Sequence, residues 1–121
     1  MNWRALCGAA VALGLSSAAQ ATTLEDIKAR GVLRACIAPI HDSLVQADPE
    51  GCEQGCKFSG LLVDQVKAFA DTLDGVAADI RLVGWEDQFE DAAGSVDRDR
   101  SYTPRLLSSG ECDLFASNIA R

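Results

Sequence analysis

Cysteine is the residue type in this sequence whose spacing says most about chemistry. Of the five cysteines, Cys52 and Cys56 enclose three residues, one of them glycine, whereas Cys36 and Cys112 stand alone. A c-type haem site needs C-x-x-C-H, and a thioredoxin-like redox pair needs two intervening residues. A structural zinc site brings its ligands in close pairs. The spacing favours a local Cys52–Cys56 disulfide over unpaired thiols or a metal, and it leaves the pairing of Cys36 and Cys112 open.

The other polar residues do not form a recognisable catalytic set. His41 is the only histidine, and no serine or cysteine has a base at a spacing that would activate it as a nucleophile. The charge run Asp97–Arg100 is typical of a solvated surface segment. We therefore expect a protein that is not an enzyme and that holds no cofactor and no metal.

The amino-terminal segment has the pattern of an export signal. Met1 to Arg4 carry one positive charge, and Ala5 to Leu15 form an apolar run that is too short to span a bilayer. An A-x-A cleavage motif follows at residues 19–21. This pattern predicts a signal peptide over 1–21, a mature chain over 22–121 in the periplasm, and no direct membrane insertion after cleavage.

Export and charge together narrow the partners. Cleavage removes Cys7 and leaves four cysteines, an even number that favours disulfides in an oxidising compartment. The formal net charge is −7 at pH 7, and removal of Arg4 with the signal makes the chain more acidic still. Such a chain repels nucleic acid and anionic lipid, so neither is an expected partner.

The elements alternate between helices and strands. Thr22 and Glu25 have the form of a capping box for a helix that Gly31 ends, and the second helix is predicted from Ser59 to Gly75. Its apolar face would comprise Leu62, Val66, Phe69, Ala70 and Leu73. Strands are predicted over 32–38, 78–83 and 112–117, short helical turns over 85–93 and from Pro104 to Gly110, a long loop over 40–58 and an inserted segment over 94–102.

This order predicts an α/β fold with a parallel sheet. Three strands do not complete such a sheet, so we expect an incomplete architecture with one uncovered apolar face. In parallel sheets, ligands bind beyond the carboxyl ends of the strands, where helix N-termini offer free N–H groups. Those ends are 39–42, 84–86 and 117–120. Candidate ligand contacts there are Ser117 and Asn118 as hydrogen-bonding groups, Trp85 as a cover, and His41, with Asp42 on the same rim.

Three segments carry a family resemblance. Residues 24–34 (LEDIKARGVLR), 60–64 (GLLVD) and 109–118 (SGECDLFASN) resemble, in order and spacing, segments of solute-binding protein family 3, the periplasmic amino-acid binders of ABC transporters. The resemblance implies the amino-terminal portion of lobe 1 of a periplasmic binding protein type II-like fold. It also implies a small polar solute, such as an amino acid, and a membrane permease as partners.

The sequence departs from the family pattern at several positions. Leu62 replaces a frequent Asp, and Ala120 replaces a residue with a hydroxyl group. The family's carboxylate-binding arginine would lie beyond Arg121, and so would its second lobe, which implies a truncated chain, a fragment, with weak solute binding. The alternatives are a sensing input module of a receptor kinase, a module of a peptidoglycan-cleaving enzyme, and a cysteine-bridged accessory protein of a periplasmic oxidoreductase.

The export signal gives a direct prediction. Protein recovered from the periplasm should begin at Thr22, because signal peptidase cleaves after the small residue that ends an A-x-A motif. Amino-terminal sequencing of the exported material measures this. Recovery of an intact Met1 terminus from the periplasmic fraction would contradict it.

Overall fold

The elements of the structure follow the predicted alternation. The computed structural model describes residues 22–96 and 104–116. The predicted signal peptide, the Asp97–Arg100 run, Ser117 and Asn118 lie outside these ranges. The described elements are α1 (Leu24–Arg30), β1 (Val32–Ile37), β2 (Gln46–Asp48), β3 (Lys57–Ser59), α2 (Leu61–Asp71), β4 (Ala77–Leu82), a 3₁₀ turn (Trp85–Gln88), α3 (Arg105–Ser108) and β5 (Leu114–Ala116).

Strands β1, β4 and β5 form one parallel sheet in the order β4-β1-β5. Ile37 of β1 lies opposite Leu82 of β4 and Ala116 of β5, so all three strands end at the same edge. The mixed α/β fold and the parallel sheet are thus confirmed. The predicted loop over 40–58 differs, because β2 and β3 pair within it as an antiparallel ribbon. Strands of three residues are too short to show a period in the sequence.

Helix α1 begins one residue later than predicted. The hydroxyl of Thr23 accepts a hydrogen bond from the Asp26 N–H at 3.2 Å, and the Asp26 carboxylate accepts one from the Thr23 N–H at 3.0 Å. The predicted pair, Thr22 and Glu25, has the same spacing as the pair Thr23 and Asp26 that forms the capping box in the structure. Gly31 ends the helix with φ 73°, as predicted.

Helix α2 covers one face of the sheet and buries most of the predicted stripe. Leu62, Val66, Ala70 and Leu73 are buried against side chains of β1 and β4, but Phe69 is 41% exposed. The prediction for Phe69 was wrong because the stripe is displaced toward Val63, which is fully buried. The core on this face is completed by Ile27, Leu33, Ala35, Ile37, Val45, Phe58, Val76 and Ile80.

The opposite face is not the bare apolar surface that the sequence suggested. At its carboxyl half, Leu106 of α3 packs with Val83 and the buried Cys36–Cys112 disulfide. Beside this cluster, β1 presents Arg34 and β4 presents Arg81, which lies opposite Cys36. Strand alternation therefore places charged groups where no helix covers the described sheet, and those groups can remain hydrated.

Asp113 joins the short β5 to the centre of the sheet. Its side chain has no exposed surface and forms ion pairs with Arg30 and Arg34. One carboxylate oxygen accepts the Arg34 backbone N–H at 2.8 Å, and the Asp113 N–H donates to the Arg34 carbonyl at 2.8 Å. Burial raises the pKa of Asp113, but the hydrogen bonds from Arg34 and the charges of Arg34 and Arg30 outweigh it and hold the pKa below 3.8.

Gly60 fixes how the loop before α2 meets the helix. Its φ is 123°, and a Cβ at this position would lie 2.5 Å from the carbonyl oxygen of Leu44. The close approach lets the N–H of Leu61 donate to the Ser43 carbonyl at 3.2 Å, and that of Leu62 to the Leu44 carbonyl at 3.0 Å. Two N–H groups at the start of α2 are thereby satisfied by the loop.

Asp113→Asn should lower the free energy of unfolding at neutral pH by about 2 kcal/mol, because two arginines lose their buried anionic partner. Glu111→Gln is the control, since its carboxylate is 43% exposed and its pairs should contribute less than about 1 kcal/mol. Urea unfolding followed by circular dichroism measures both. Equal losses in the two variants would contradict this role for Asp113.

A comparison of the wild type with Asp113→Asn at different pH values tests the pKa of Asp113. The folded pKa lies below the ordinary 3.8, so the stabilisation is present above that value and is lost as the pH falls through the folded pKa. The stability difference between the wild type and Asp113→Asn should therefore narrow below about pH 4. A difference that stays constant into strong acid would show that the carboxylate charge contributes nothing.

Gly60→Ala should destabilise the fold by about 3 kcal/mol, because the new methyl group meets backbone atoms and the φ disfavours any side chain. Gly75→Ala is the matched control, with φ 78° and no atom within 4 Å of the added Cβ. It should cost about 1 kcal/mol from the left-handed backbone alone. Chemical unfolding of both variants separates the contributions, and equal costs would mean that the contact with Leu44 is easily relieved.

Candidate functional site

The carboxyl ends of β1 and β4 leave the sheet side by side. The N–H of Val83 donates to the carbonyl of Ile37 at 3.0 Å, so the ladder continues one residue past β4. Residues 39–42 and 84–86 therefore emerge at the same edge, where the sequence placed the candidate site. The third predicted segment, 117–120, lies outside the described residues.

A cleft of about 780 Å³ opens beside this edge. Pro39, which follows β1, and Leu82 of β4 contribute to one side, and the β2–β3 ribbon forms the other. Its lining is mixed, with an apolar part and a polar part that carries three carboxylates and one ammonium group. The lining residues are Pro39, Asp42, Val45, Gln46, Ala47, Asp48, Glu50, Gly51, Lys57, Ser59 and Leu82.

The ribbon directs its polar side chains to the cleft by strand register. Gln46 lies opposite Ser59, and Asp48 lies opposite Lys57. Directly opposed residues of an antiparallel pair share a face, and all four of these line the cleft. Phe58, between Lys57 and Ser59, is buried in the core instead. Phe58 thus attaches the ribbon to the core, while the four polar side chains form one wall of the cleft, which we call the polar wall.

None of these four ribbon residues was predicted from the sequence as a site residue. Of the residues that line the cleft, Asp42 was expected on the rim. The signal that was present is the polar–apolar–polar alternation of residues 46–48 and 57–59. Each stretch is only three residues long, and neither resembled a strand when taken alone. The alternation produces a polar surface only when the two stretches pair with each other, and that pairing requires the turn between them.

His41 and Trp85 follow β1 and β4 in the chain, but neither is among the residues that line the cleft. The Nδ1 of His41 lies 2.9 Å from the hydroxyl of Ser43 and accepts the Ser43 N–H at 3.2 Å, so this ring nitrogen makes local contacts. Trp85 is 38% exposed, and its ring packs edge-on to Phe89 with centroids 5.7 Å apart. A ligand contact by either residue stays a prediction, as does one by Ser117 or Asn118.

The first N–H groups of α2 already have partners. The N–H groups of Leu61 and Leu62 already donate to loop carbonyls, so they are not offered to a ligand. The lining carboxylates outnumber the single lysine, which makes the cleft a better environment for a positively charged group than for an anion.

The described residues contain two disulfides, one of which adjoins the cleft. Cys52 and Cys56 are bridged as predicted, with Cα atoms 6.3 Å apart, and the residues that flank them, Gly51 and Lys57, line the cleft. Cys36 and Cys112, whose pairing the sequence left open, form the second bridge, with Cα atoms 5.8 Å apart. This pairing depends on β5 lying next to β1, which no spacing in the sequence could show.

Two classes of feature are absent from the described part of the chain. Within residues 22–96 and 104–116, no three histidine, cysteine or acidic side chains are grouped so that they could hold a metal ion. No helix in the same ranges is long and apolar enough to cross a membrane.

Comparison with known proteins gives no relative of this chain. No protein-family model matches the sequence, and neither a curated protein nor a solved structure matches the chain. The resemblance to solute-binding protein family 3 therefore rests on its three sequence segments.

Proposed function

We propose that this protein is a periplasmic solute-binding protein that passes a small polar solute, such as an amino acid, to the membrane permease of an ABC transporter. The observation that carries the proposal is the cleft at the carboxyl ends of β1 and β4. Ligands of parallel α/β sheets bind at this edge. The volume of about 780 Å³ is within the range of small-molecule sites.

The lining supports a solute that combines an apolar part with a charged group. Pro39 and Leu82 offer apolar contact, while Asp42 and Glu50 add negative charge to the lining. Asp48 lies opposite Lys57 in the ribbon, so their charges partly offset each other. An amino acid with a cationic side chain fits this pattern better than an acidic one.

Transport by such a protein requires that binding be coupled to closure. In the proposed mechanism the described sheet supplies one side of the solute site, and further contacts form only when a second lobe closes over it. This side alone should bind weakly, with dissociation constants in the millimolar range, because it makes only part of the contacts. The protein in this proposal binds and releases its solute unchanged and is not an enzyme.

The cysteine chemistry is consistent with this location. Two disulfides in one small protein indicate an oxidising compartment outside the cytoplasm. Delivery to the periplasm would follow from the predicted signal peptide over 1–21.

The test is a titration of the isotopically labelled protein with L-arginine and, separately, L-glutamate, followed by amide chemical shifts. L-arginine should shift amides of the cleft residues, L-glutamate should have a weaker effect, and both should saturate only at millimolar concentration. The charge-neutralising variant Asp42→Asn/Glu50→Gln should weaken L-arginine binding about threefold to tenfold, because two lining carboxylates lose their charge.

A matched control separates local from global charge. Glu25→Gln/Asp71→Asn removes the same two charges from exposed positions on α1 and α2, neither of which lines the cleft. It should leave L-arginine binding unchanged. Shift changes spread over the surface, or equal losses in both double variants, would show that the cleft is not the solute site.

A further inference from the structure

We propose that the Cys52–Cys56 disulfide is a redox-sensitive clamp: its reduction by a dithiol releases residues 52–56 from the outer edge of β4 and loosens the adjoining wall of the cleft. The part of this inference that concerns solute affinity rests on the function proposed above. The release of the loop does not, because it follows from the contacts of the loop itself.

The loop within the disulfide is bound to the sheet by its backbone. The carbonyl of Glu53 accepts the N–H of Leu82 at 2.8 Å, and Gln54 forms an antiparallel bridge with Arg81. These contacts lie on the side of β4 that faces away from β1. The loop thus pairs with the edge of β4, and the disulfide restricts the conformations it can adopt there.

Leu82 connects the loop to the cleft. Its N–H donates to the carbonyl of Glu53, and Leu82 itself lines the cleft. Gly51 and Lys57, the residues on either side of the closed loop, line the same cleft. Greater mobility of residues 52–56 should therefore extend to the β2–β3 ribbon and to β4.

The two disulfides differ in their access to a reductant. Cys36 and Cys112 are each 1% exposed and lie within the smaller core cluster. Cys52 and Cys56 are only partly buried, and the three residues between them are exposed. Thiol–disulfide exchange requires a thiolate to approach one sulfur along the S–S axis, so the loop disulfide should react while the buried one does not.

The reaction is a two-electron exchange with a dithiol. A thiolate of the reductant attacks the sulfur of Cys52 or Cys56, breaks the S–S bond and expels the other cysteine as a thiolate, which takes up a proton. The second thiol of the reductant then loses its proton and displaces the remaining cysteine. The products are two cysteine thiols and the reductant as its own disulfide, so the protein gains two electrons and two protons.

The first experiment measures which disulfide opens and how the contact between the loop and β4 responds. The oxidised protein is treated with dithiothreitol under native conditions and alkylated, and its non-reduced digest is analysed by mass spectrometry. Cys52 and Cys56 should be alkylated while Cys36 and Cys112 remain bridged. In this partly reduced protein, hydrogen exchange at the Leu82 amide should accelerate at least about tenfold, because the short closed loop no longer restricts Glu53.

The neighbouring amide is an internal control. The N–H of Val83 donates to Ile37 within the sheet, so its exchange should not change on reduction. The variant Cys52→Ser/Cys56→Ser should reproduce the fast Leu82 exchange without reductant. Simultaneous opening of both disulfides, equal acceleration at Leu82 and Val83, or unchanged Leu82 exchange would each overturn the proposal.

A binding arm separates this inference from the proposed function. L-arginine should bind the Cys52→Ser/Cys56→Ser variant at least about threefold more weakly than the oxidised wild type. Equal affinity would overturn the link between clamp and cleft. If the wild type binds no L-arginine, the proposed function fails for this solute, whereas the clamp is still decided by the exchange of Leu82.

Discussion

The structure depends on the pairing of Asp113 with Arg34. Strand β5 has only three residues, and the two cysteines beside the junction are 76 positions apart in the sequence. So short a strand contributes little ladder energy to offset the entropy of closing so long a loop. The Asp113 carboxylate and N–H together bind both backbone groups of Arg34, and the two arginine side chains neutralise the buried charge. This junction fixes the register of β5 on β1.

The register then determines what lies at each end of the sheet. With Ala35 opposite Leu114, Cys36 and Cys112 come within bonding reach on one face, while Ile37 and Ala116 end the strands together. Covalent and electrostatic restraints thus act on neighbouring residues of the same strand pair. The edge beside which the cleft opens is therefore set by groups that do not line the cleft themselves.

Much of the fold could be predicted from the sequence because its signals are local. The run from Val32 and the stop at Gly31 need only neighbouring residues, and the alternation of elements indicates a parallel sheet. The cleft was harder to predict, since its wall arises when two three-residue stretches pair across a turn. The Cys36–Cys112 bridge and the exposure of Phe69 depend on long-range packing, which the periodicity of a single sequence does not indicate. The rule that ligands of parallel sheets bind beyond the strand ends pointed to the edge where the cleft opens. Of the candidates named there, Asp42 lines the cleft, His41 and Trp85 do not, and Ser117 and Asn118 lie outside the described residues.

The closed loop at residues 52–56 has a further consequence for the behaviour of the sheet. A strand edge with unpaired backbone groups can recruit strands from other molecules, which is a route to aggregation. Here the backbone of Glu53 and Gln54 pairs with the outer edge of β4 at Leu82 and Arg81, and the disulfide restricts the loop to this position. A strand from another molecule cannot pair with these two residues while the loop is in place. The closed loop therefore shortens the stretch of β4 that could recruit such a strand.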